Sequence, residues 1–281
     1  MKLCRLINYD IQNGLLRKGY VYLTVLLLSG VFFADFYYKF LLVQENGQGE
    51  NQTVTMTNVM IYLFAGKEPF NPLVESAFVL PAVWLLIFLY SAFLTLNYPY
   101  RNLMERGIQV IIRSGKRRHW WISKCVWLFT GTICYFLILY LGIAFFCFLF
   151  GIEISFSYAS GLNEYLLNMQ LEILSKKQIF CLVFFLPVMT ALAINFVQLC
   201  MGLFLDRVYS YLLSAVILFS STYFLSPFAI GNFAMLKRSI FYDNAGVTIG
   251  QGIVGNGSLI LLSIILGLAR IEKYDLIKKN D

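Results

Sequence analysis

Residues 125–150 read CVWLFTGTICYFLILYLGIAFFCFLF, a run of 26 residues without a charged side chain. A helix needs about 20 apolar residues to cross roughly 30 Å of hydrocarbon, whereas the strands of a membrane barrel are about 10 residues long and alternate. This run is long and does not alternate, so it predicts a membrane-spanning helix. Five similar runs lie at residues 20–43, 77–97, 179–203, 209–229 and 251–269. Together they predict an all-α integral membrane protein with six spans.

The composition agrees with that prediction. Of the 281 residues, 59% are hydrophobic, 17% aromatic and only 13% charged, whereas soluble domains average about 25% charged residues. These proportions exclude a soluble enzyme, a disordered chain and a small disulfide-stapled secreted domain. No connecting segment is large enough for a second domain, so residues 1–281 are interpreted as a single transmembrane domain.

The basic residues predict how the chain is oriented. If both termini lie on the same side, the segments on that side carry 16 of the 22 Lys and Arg residues, and the opposite segments carry nine of the 15 acidic ones. Cytoplasmic segments are enriched in Lys and Arg, so both termini are expected in the cytoplasm. The net charge of +7 then reflects topology and contact with anionic lipid, and nucleic acid is not an expected partner.

The first 19 residues predict an amphipathic helix on the inner membrane surface. Leu3, Ile7, Ile11 and Leu15 recur every four residues, which places them on one face of a helix. Asp10 is assigned to the opposite, polar face, together with Lys2, Arg5, Gln12 and Arg17. The helix is either a simple anchor or an elbow that grips the first span.

No residue pattern indicates that the chain is itself an enzyme. The six cysteines include no C-x-x-C pair, and His119 is the single histidine, so zinc, haem and triad chemistry would lack partners. The phosphate-binding loop G-x-x-x-x-G-K-[ST] is absent from the sequence. We therefore expect no catalytic, metal or cofactor site in this chain.

Residues 98–124 form the most polar inner segment, with seven basic residues and one acid, Glu105. A short helix is predicted from about residue 101 to 113, ended by Ser114 and Gly115, and a second helix then runs into the third span. Trp120 and Trp121 are expected at headgroup level. The segment either only fixes topology and contacts lipid, or docks onto a cytoplasmic partner through its apolar ridge.

Few polar residues interrupt the spans. Asn195 and Gln198 are three residues apart and share a helix face, so they either bond across a subunit interface or line a pathway. Asp35 and Lys39 are four apart and are expected to neutralise each other near the headgroups. Between the spans, residues 44–76 are predicted to be a mostly irregular loop. An amphipathic surface helix is predicted within residues 158–178.

The inner segment resembles the first cytoplasmic loop of the membrane subunits of ABC-2-type ATP-binding-cassette (ABC) transporters. Such loops contain Glu-Arg and a small residue, an apolar stretch, a Ser/Gly-basic-basic break, and a Lys that opens the third span. Here these are Glu105-Arg106-Gly107, residues 108–112, residues 113–118, and Ser123-Lys124. The basic tail at residues 269–275 is also similar.

The resemblance implies a six-span permease of a bacterial plasma membrane, with an elbow helix at residues 1–19 and a coupling loop at 98–124. Two copies of a separate ATPase subunit, which binds ATP and Mg, would drive a homodimer of this chain. The coupling residues would be Glu105, Arg106, Arg113, Ser114, Lys116, Arg117, Arg118, Trp120 and Trp121. Asp206 and Arg207, in the short turn between the fourth and fifth spans, would form either a second cytoplasmic contact or only a local salt bridge.

The cargo implied by an aromatic, nearly uncharged interior is a hydrophobic or amphipathic peptide, drug or lipid. Export is favoured, since no outer domain for capturing a substrate is present in the sequence. The alternative is a non-transporting membrane protein that confers immunity or scaffolds a sensor. Such a protein could use the same basic loop to hold a kinase or an ATPase.

Overall fold

The computed structural model describes residues 2–17, 19–46, 53–70, 78–102, 117–169 and 174–273. The regular elements in these ranges are helices, accompanied by two isolated β-bridges. They comprise nine α-helical segments, numbered α1 to α9 in chain order, with short π and 3-10 turns between or within them. The predicted all-α class is confirmed for this part of the chain.

Five helices are long and apolar enough to cross a membrane. Each overlaps one of the predicted spans: α2 (Tyr20–Glu45), α4 (Ala82–Asn102), α5 (Arg117–Leu149), α7 (Lys176–Met201) and α9 (Ile249–Glu272). The remaining predicted span, residues 209–229, contains α8 (Arg207–Tyr223), which at 17 residues is shorter than the roughly 20 residues of a typical span.

The outward surface of these helices is apolar. Large hydrophobic side chains that are at least half exposed occur on α2, α4, α5, α8 and α9, among them Leu27, Val31, Leu86, Leu141, Phe148, Val216, Val254, Leu261 and Ile265. A water-soluble protein rarely exposes apolar patches of more than a few hundred Å². The fold is therefore that of a multi-pass membrane protein. Its apolar outer surface faces hydrocarbon, and its interior is a buried apolar core.

The N-terminal segment is a helix, α1 (Lys2–Ile11), which continues into one π-helical turn, Gln12–Leu16. Gly14 lies in this turn against Trp127 and Tyr98, where an added Cβ would come within 2.4 Å of Trp127 Nε1. The turn can thus pack directly onto α5 because residue 14 has no side chain. That α1 lies on a membrane surface stays a prediction.

The expectation of an irregular loop at residues 44–76 is wrong for its central part. Residues Met56–Phe64 form a buried helix, α3, inside the bundle. The Thr55 backbone N–H donates to Asn58 Oδ1 (3.2 Å), which caps the first turn. The apolar run 59–64 is too short to span a membrane, so its burial depends on neighbouring helices. The predicted surface helix is present but short, as α6 (Ser160–Leu167).

Helices α2 and α5 are closely packed along their length. The Cβ that a residue other than glycine would carry at position 142 would lie 2.2 Å from Ser29 Oγ, so the two backbones can approach because residue 142 is glycine. Farther along, the Phe33 ring stacks on Phe146, with 5.7 Å between centroids, and also contacts Phe150. These contacts make α2 and α5 a single packed pair.

Residues 226–247 fold back into the bundle as two short 3-10 turns, Ile230–Ala234 and Leu236–Arg238. The buried Arg238 guanidinium donates to the carbonyls of Lys67 (2.6 Å), Glu68 (3.2 Å) and Thr222 (2.7 Å). Burial lowers the pKa of Arg238 to about 10, so the group remains a cation at neutral pH. It fixes the 226–247 segment to the chain that follows α3 and to the end of α8.

A second contact to this segment is made by Glu68. Its Oε1 accepts hydrogen bonds from Tyr242 OH (2.5 Å) and Lys237 Nζ (3.0 Å). Partial burial alone would raise the pKa of Glu68, but the hydrogen bonds from Tyr242 and Lys237 outweigh it and lower the pKa below its usual value. Burial and the Glu68 carboxylate raise the pKa of Tyr242. The contact therefore involves an ionised Glu68 at neutral pH.

Candidate functional site

A buried ion pair joins the N-terminal helix to the third long apolar helix. Lys124 Nζ of α5 lies 2.6 Å from Asp10 Oδ1 of α1, and both side chains are fully buried. Ser123 Oγ donates to Asp10 Oδ2 (2.5 Å), and Tyr98 OH donates to Asp10 Oδ1 (2.9 Å). One carboxylate thus accepts three hydrogen bonds, from α4 and α5, and ties both helices to α1.

Aromatic rings surround the Lys124 ammonium group. Its Nζ lies 4.9 Å from the ring centroid of Tyr98 and 5.4 Å from that of Trp120, within the range of cation–π attraction. Removing two charges from water costs several kcal/mol per ion, and the mutual attraction offsets this only where geometry and additional hydrogen bonds are good. The arrangement supplies both, but it leaves each charge dependent on the other.

The position of this cluster relates it to the predicted coupling loop. Residues 103–116 connect the end of α4 to the start of α5. Tyr98 lies one turn before the end of α4, while Ser123 and Lys124 lie about two turns into α5. Asp10 therefore bonds to both stems of the loop. We call Asp10, Tyr98, Ser123 and Lys124 the stem cluster.

The first turn of α5 is also tied to the end of α9. The Arg118 guanidinium forms an ion pair and hydrogen bond with the Glu272 carboxylate, and Arg117 NH1 donates to the Glu272 carbonyl (2.9 Å). Both side chains of the ion pair are substantially exposed, and exposed pairs contribute little to stability. The contact positions the loop stem beside α9 without locking it.

Trp120 and Trp121 are buried inside the bundle rather than exposed at its surface. Trp121 Nε1 donates to the Ile264 carbonyl of α9 (3.0 Å). The Trp121 ring lies against Gly267, where an added Cβ would be 1.9 Å from Cζ2. The ring fills the space that a side chain at position 267 would occupy. Trp121 therefore connects α5 to α9, and the coupling role of both tryptophans stays a prediction.

Four of the predicted site residues line one small cavity of about 30 Å³: Trp120, Trp121, Gln198 and Arg207. That volume admits at least one water molecule. Arg207 NH1 is 3.4 Å from Asn97 Oδ1, to which it donates. Asp206 stands at the N-cap position of α8, directly before Arg207, and its side chain makes no capping hydrogen bond. The predicted second cytoplasmic contact therefore lies at the same end of the bundle as the stem cluster.

Asn195 and Gln198 bond to helices of the same chain. Asn195 Nδ2 donates to Ser91 Oγ of α4 (3.1 Å) and to Thr132 Oγ1 of α5 (3.0 Å). Gln198 Nε2 donates to the Ala92 carbonyl (2.9 Å). Their side-chain oxygens, Asn195 Oδ1 and Gln198 Oε1, are buried and accept no hydrogen bond from the residues that the structure describes. A role for either residue at a pathway or subunit interface stays a prediction.

Five residues of the predicted coupling set lie outside the described residues: Glu105, Arg106, Arg113, Ser114 and Lys116. The helix predicted between residues 101 and 113 and its break at Ser114 fall largely in the same stretch. Within the ranges that the structure describes, no three His, Cys, Asp or Glu side chains lie close enough together to hold a metal ion.

Sequence reasoning misplaced Asp10 and did not connect it with Tyr98, or with Ser123 and Lys124, which were noted only as the end of the loop motif. Asp10 was assigned to the polar face of α1, but it is buried. Its spacing contained a signal, since it follows Leu6 by four residues and Ile7 by three, which places it beside the apolar stripe. Lys124, a single charge flanked by Trp120, Trp121 and Cys125, gave a second signal, because a charge among apolar residues requires a partner.

Comparison with known proteins adds no relative: no family model, no curated protein and no solved structure matches this chain.

Proposed function

We propose that this chain is the membrane-spanning subunit of an ABC-2-type exporter in a bacterial plasma membrane. Two copies would pair and work with two copies of a separate ATPase subunit, which binds ATP and Mg. The cargo would be a hydrophobic or amphipathic peptide, drug or lipid. The observation that carries the proposal is the stem cluster, in which the Asp10 carboxylate holds both stems of the basic loop.

A soluble motor that docks onto residues 103–116 must transmit its movement into the bundle. Because Tyr98 and Lys124 share the Asp10 carboxylate, a displaced loop would move α4, α5 and α1 together rather than bending one stem. The Arg118–Glu272 contact extends the same connection to α9. Nucleotide can drive such a change only by binding one arrangement of the helices more tightly than the other.

The central hydrogen bonds favour a pathway between two copies. Asn195 and Gln198 use their amide donors within one chain, on Ser91, Thr132 and the Ala92 carbonyl. These hydrogen bonds hold α7 against α4 and α5, so the space between these helices is filled by side chains of one subunit. A transport pathway would then be enclosed where the apolar surfaces of two subunits face each other.

The charge distribution supports the orientation. The stem cluster, Arg118 and Arg207 all lie at one end of the bundle, and the sequence places most Lys and Arg residues in segments on that side. Such a basic end is attracted to the anionic cytoplasmic leaflet and is typical of the cytoplasmic side. Both termini would accordingly be cytoplasmic.

The first test is extraction of the chain from its own cells in mild detergent, followed by native mass spectrometry. We expect two copies of the chain with two copies of a soluble ATPase. Recovery of the chain alone, or bound to a kinase, would contradict the transporter proposal. It would leave the immunity or sensor-scaffold alternative.

A second test separates docking from assembly. Arg113→Glu and Glu105→Ala are expected to reduce ATPase turnover in the purified complex several-fold while the helical circular dichroism signal stays unchanged. Lys177→Glu is the matched control, because Lys177 is exposed at the start of α7, at the other end of that helix from the loop side. If both loop variants keep full coupled turnover, the loop is not the coupling element.

A further inference from the structure

A groove of about 480 Å³ opens between α2 and α4, at the end of the bundle opposite the stem cluster. Residues of α3 form its floor, and we call it the α2–α4 groove. Most of its lining is apolar, including Phe32, Leu63 and Trp84, and its charged lining residues are Asp35 and Lys39. Ligand sites commonly have volumes of about 300–1,000 Å³, apolar walls and a few convergent polar groups.

The charged groups form a triad with Tyr62. Lys39 Nζ lies 3.1 Å from Asp35 Oδ2, and the Tyr62 hydroxyl bonds to both groups. These bonds use one carboxylate oxygen and two of the three ammonium donors. Asp35 Oδ1 and one N–H of Lys39 have no partner in the described chain, and both side chains remain over one third exposed. One anionic acceptor and one cationic donor therefore remain available side by side.

The groove opens onto the apolar outer surface of the bundle. Its rim includes Val31, Leu80 and Leu86, each of which is about half exposed or more. Lys39 follows Tyr20, the first residue of α2, by a rise of about 28 Å, close to the roughly 30 Å of the hydrocarbon layer. The triad thus lies near the depth of the lipid headgroups, and the apolar part of the groove lies beside the acyl chains.

From these observations we infer that the α2–α4 groove binds a phospholipid with a zwitterionic headgroup that carries a primary amine, as in phosphatidylethanolamine. The headgroup ammonium would donate to Asp35, and its phosphate would accept from Lys39. An acyl chain would lie along Val31, Leu80 and Leu86, the exposed apolar side chains of the lining. The inference does not depend on the proposed transport function, because it concerns only the groove and its triad.

The test is native mass spectrometry of the delipidated full-length chain, titrated with dioleoyl lipids that differ only in headgroup. Phosphatidylethanolamine should bind roughly tenfold more tightly than phosphatidylcholine or phosphatidylglycerol, which is the effect of one charge-assisted hydrogen bond. Phosphatidylcholine has no ammonium proton to donate, and phosphatidylglycerol has no cation. Asp35→Asn should remove the preference. Lys39→Ala should weaken the binding of all three lipids alike, because each carries the phosphate, whereas Lys177→Ala should leave both affinity and preference unchanged.

A second variant tests the groove without touching its charges. Val31→Trp places an indole at the rim and should weaken the binding of all three lipids several-fold. Leu27→Trp is the matched control, because Leu27 is exposed one turn earlier on α2 and does not line the groove. Equal affinity for the three lipids in the unaltered chain would overturn the inference. So would an unchanged preference in Asp35→Asn, or binding of an amphipathic peptide in place of lipid.

Discussion

Removing one charge of the stem cluster should destabilise the protein far more than removing both. In Lys124→Met the Asp10 carboxylate stays buried and keeps only the hydroxyl donors of Ser123 and Tyr98. Breaking one half of a buried pair costs about 3–5 kcal/mol, whereas replacing both charges by apolar side chains of similar volume is often neutral or stabilising. The double variant Asp10→Leu/Lys124→Met should therefore recover most of the stability.

The smaller substitutions give a graded scale. Ser123→Ala and Tyr98→Phe each remove one neutral donor from a charged acceptor, a loss of about 1.5–3 kcal/mol. Both should rank below Lys124→Met, because the charge balance of the cluster is kept. The ranking follows from the three hydrogen bonds that the Asp10 carboxylate accepts, at 2.5, 2.6 and 2.9 Å.

The assay is the free energy of unfolding in mixed micelles, measured by titration with a denaturing detergent and followed by circular dichroism. A double-mutant cycle over Asp10 and Lys124 yields the coupling energy directly. We expect at least about 3 kcal/mol of coupling. The reasoning would be refuted if the losses in unfolding free energy of the two single variants simply added in the double variant. It would also be refuted if each single variant lay within about 0.5 kcal/mol of the unaltered chain, because changes that small are typical of solvated surface residues.

Two further predictions concern single contacts. Gly267→Ala should lower the free energy of unfolding by about 1–3 kcal/mol, because the new methyl group would overlap the Trp121 ring. Gly257→Ala on the same helix is the control, since its methyl group would meet nothing within 4 Å, and it should be neutral or stabilising. The same unfolding titration compares the two variants. Because the pKa of Glu68 is lowered from 4.5, its contribution to stability is present above pH 4.5 and is lost as the pH falls through the folded-state pKa. Hydrogen exchange of residues 230–247, corrected for intrinsic rates, should therefore accelerate on acidification, and Glu68→Gln should remove that pH dependence.

The long apolar helices could be predicted from the sequence because hydrophobicity over about 20 residues is a local property. The run at 20–43 matches both ends of α2, and the run at 125–150 matches the C-terminal end of α5, to within two residues. The structure begins α5 eight residues earlier, at Arg117, since a helix can continue past the hydrocarbon through polar residues. Composition alone does not mark where such a helix begins.

The contacts that depend on distant residues could not be predicted in the same way. A helical wheel of α1 places Asp10 beside the apolar stripe but cannot show its partner, because Lys124 follows 114 residues later. Helix α3 looks like part of a loop because six apolar residues cannot cross a membrane alone. Its burial depends on partners such as Asn163, which accepts a hydrogen bond from Asn58 Nδ2 (3.1 Å). The α2–α4 groove likewise exists only once α3 is in place.

The continuous length of α5 has a mechanical consequence. Its 33 residues form a rod of about 50 Å, and Trp121, held against Gly267, lies about 6 Å from the Arg117 tip. In the proposed transporter, a rigid α5 that pivots at Trp121 would have a far arm about seven times as long as its near arm. A displacement of 1 Å at the loop would then swing the Leu149 end by about 7 Å. Since α2 packs along α5, the same swing would change the width of the lipid-facing groove.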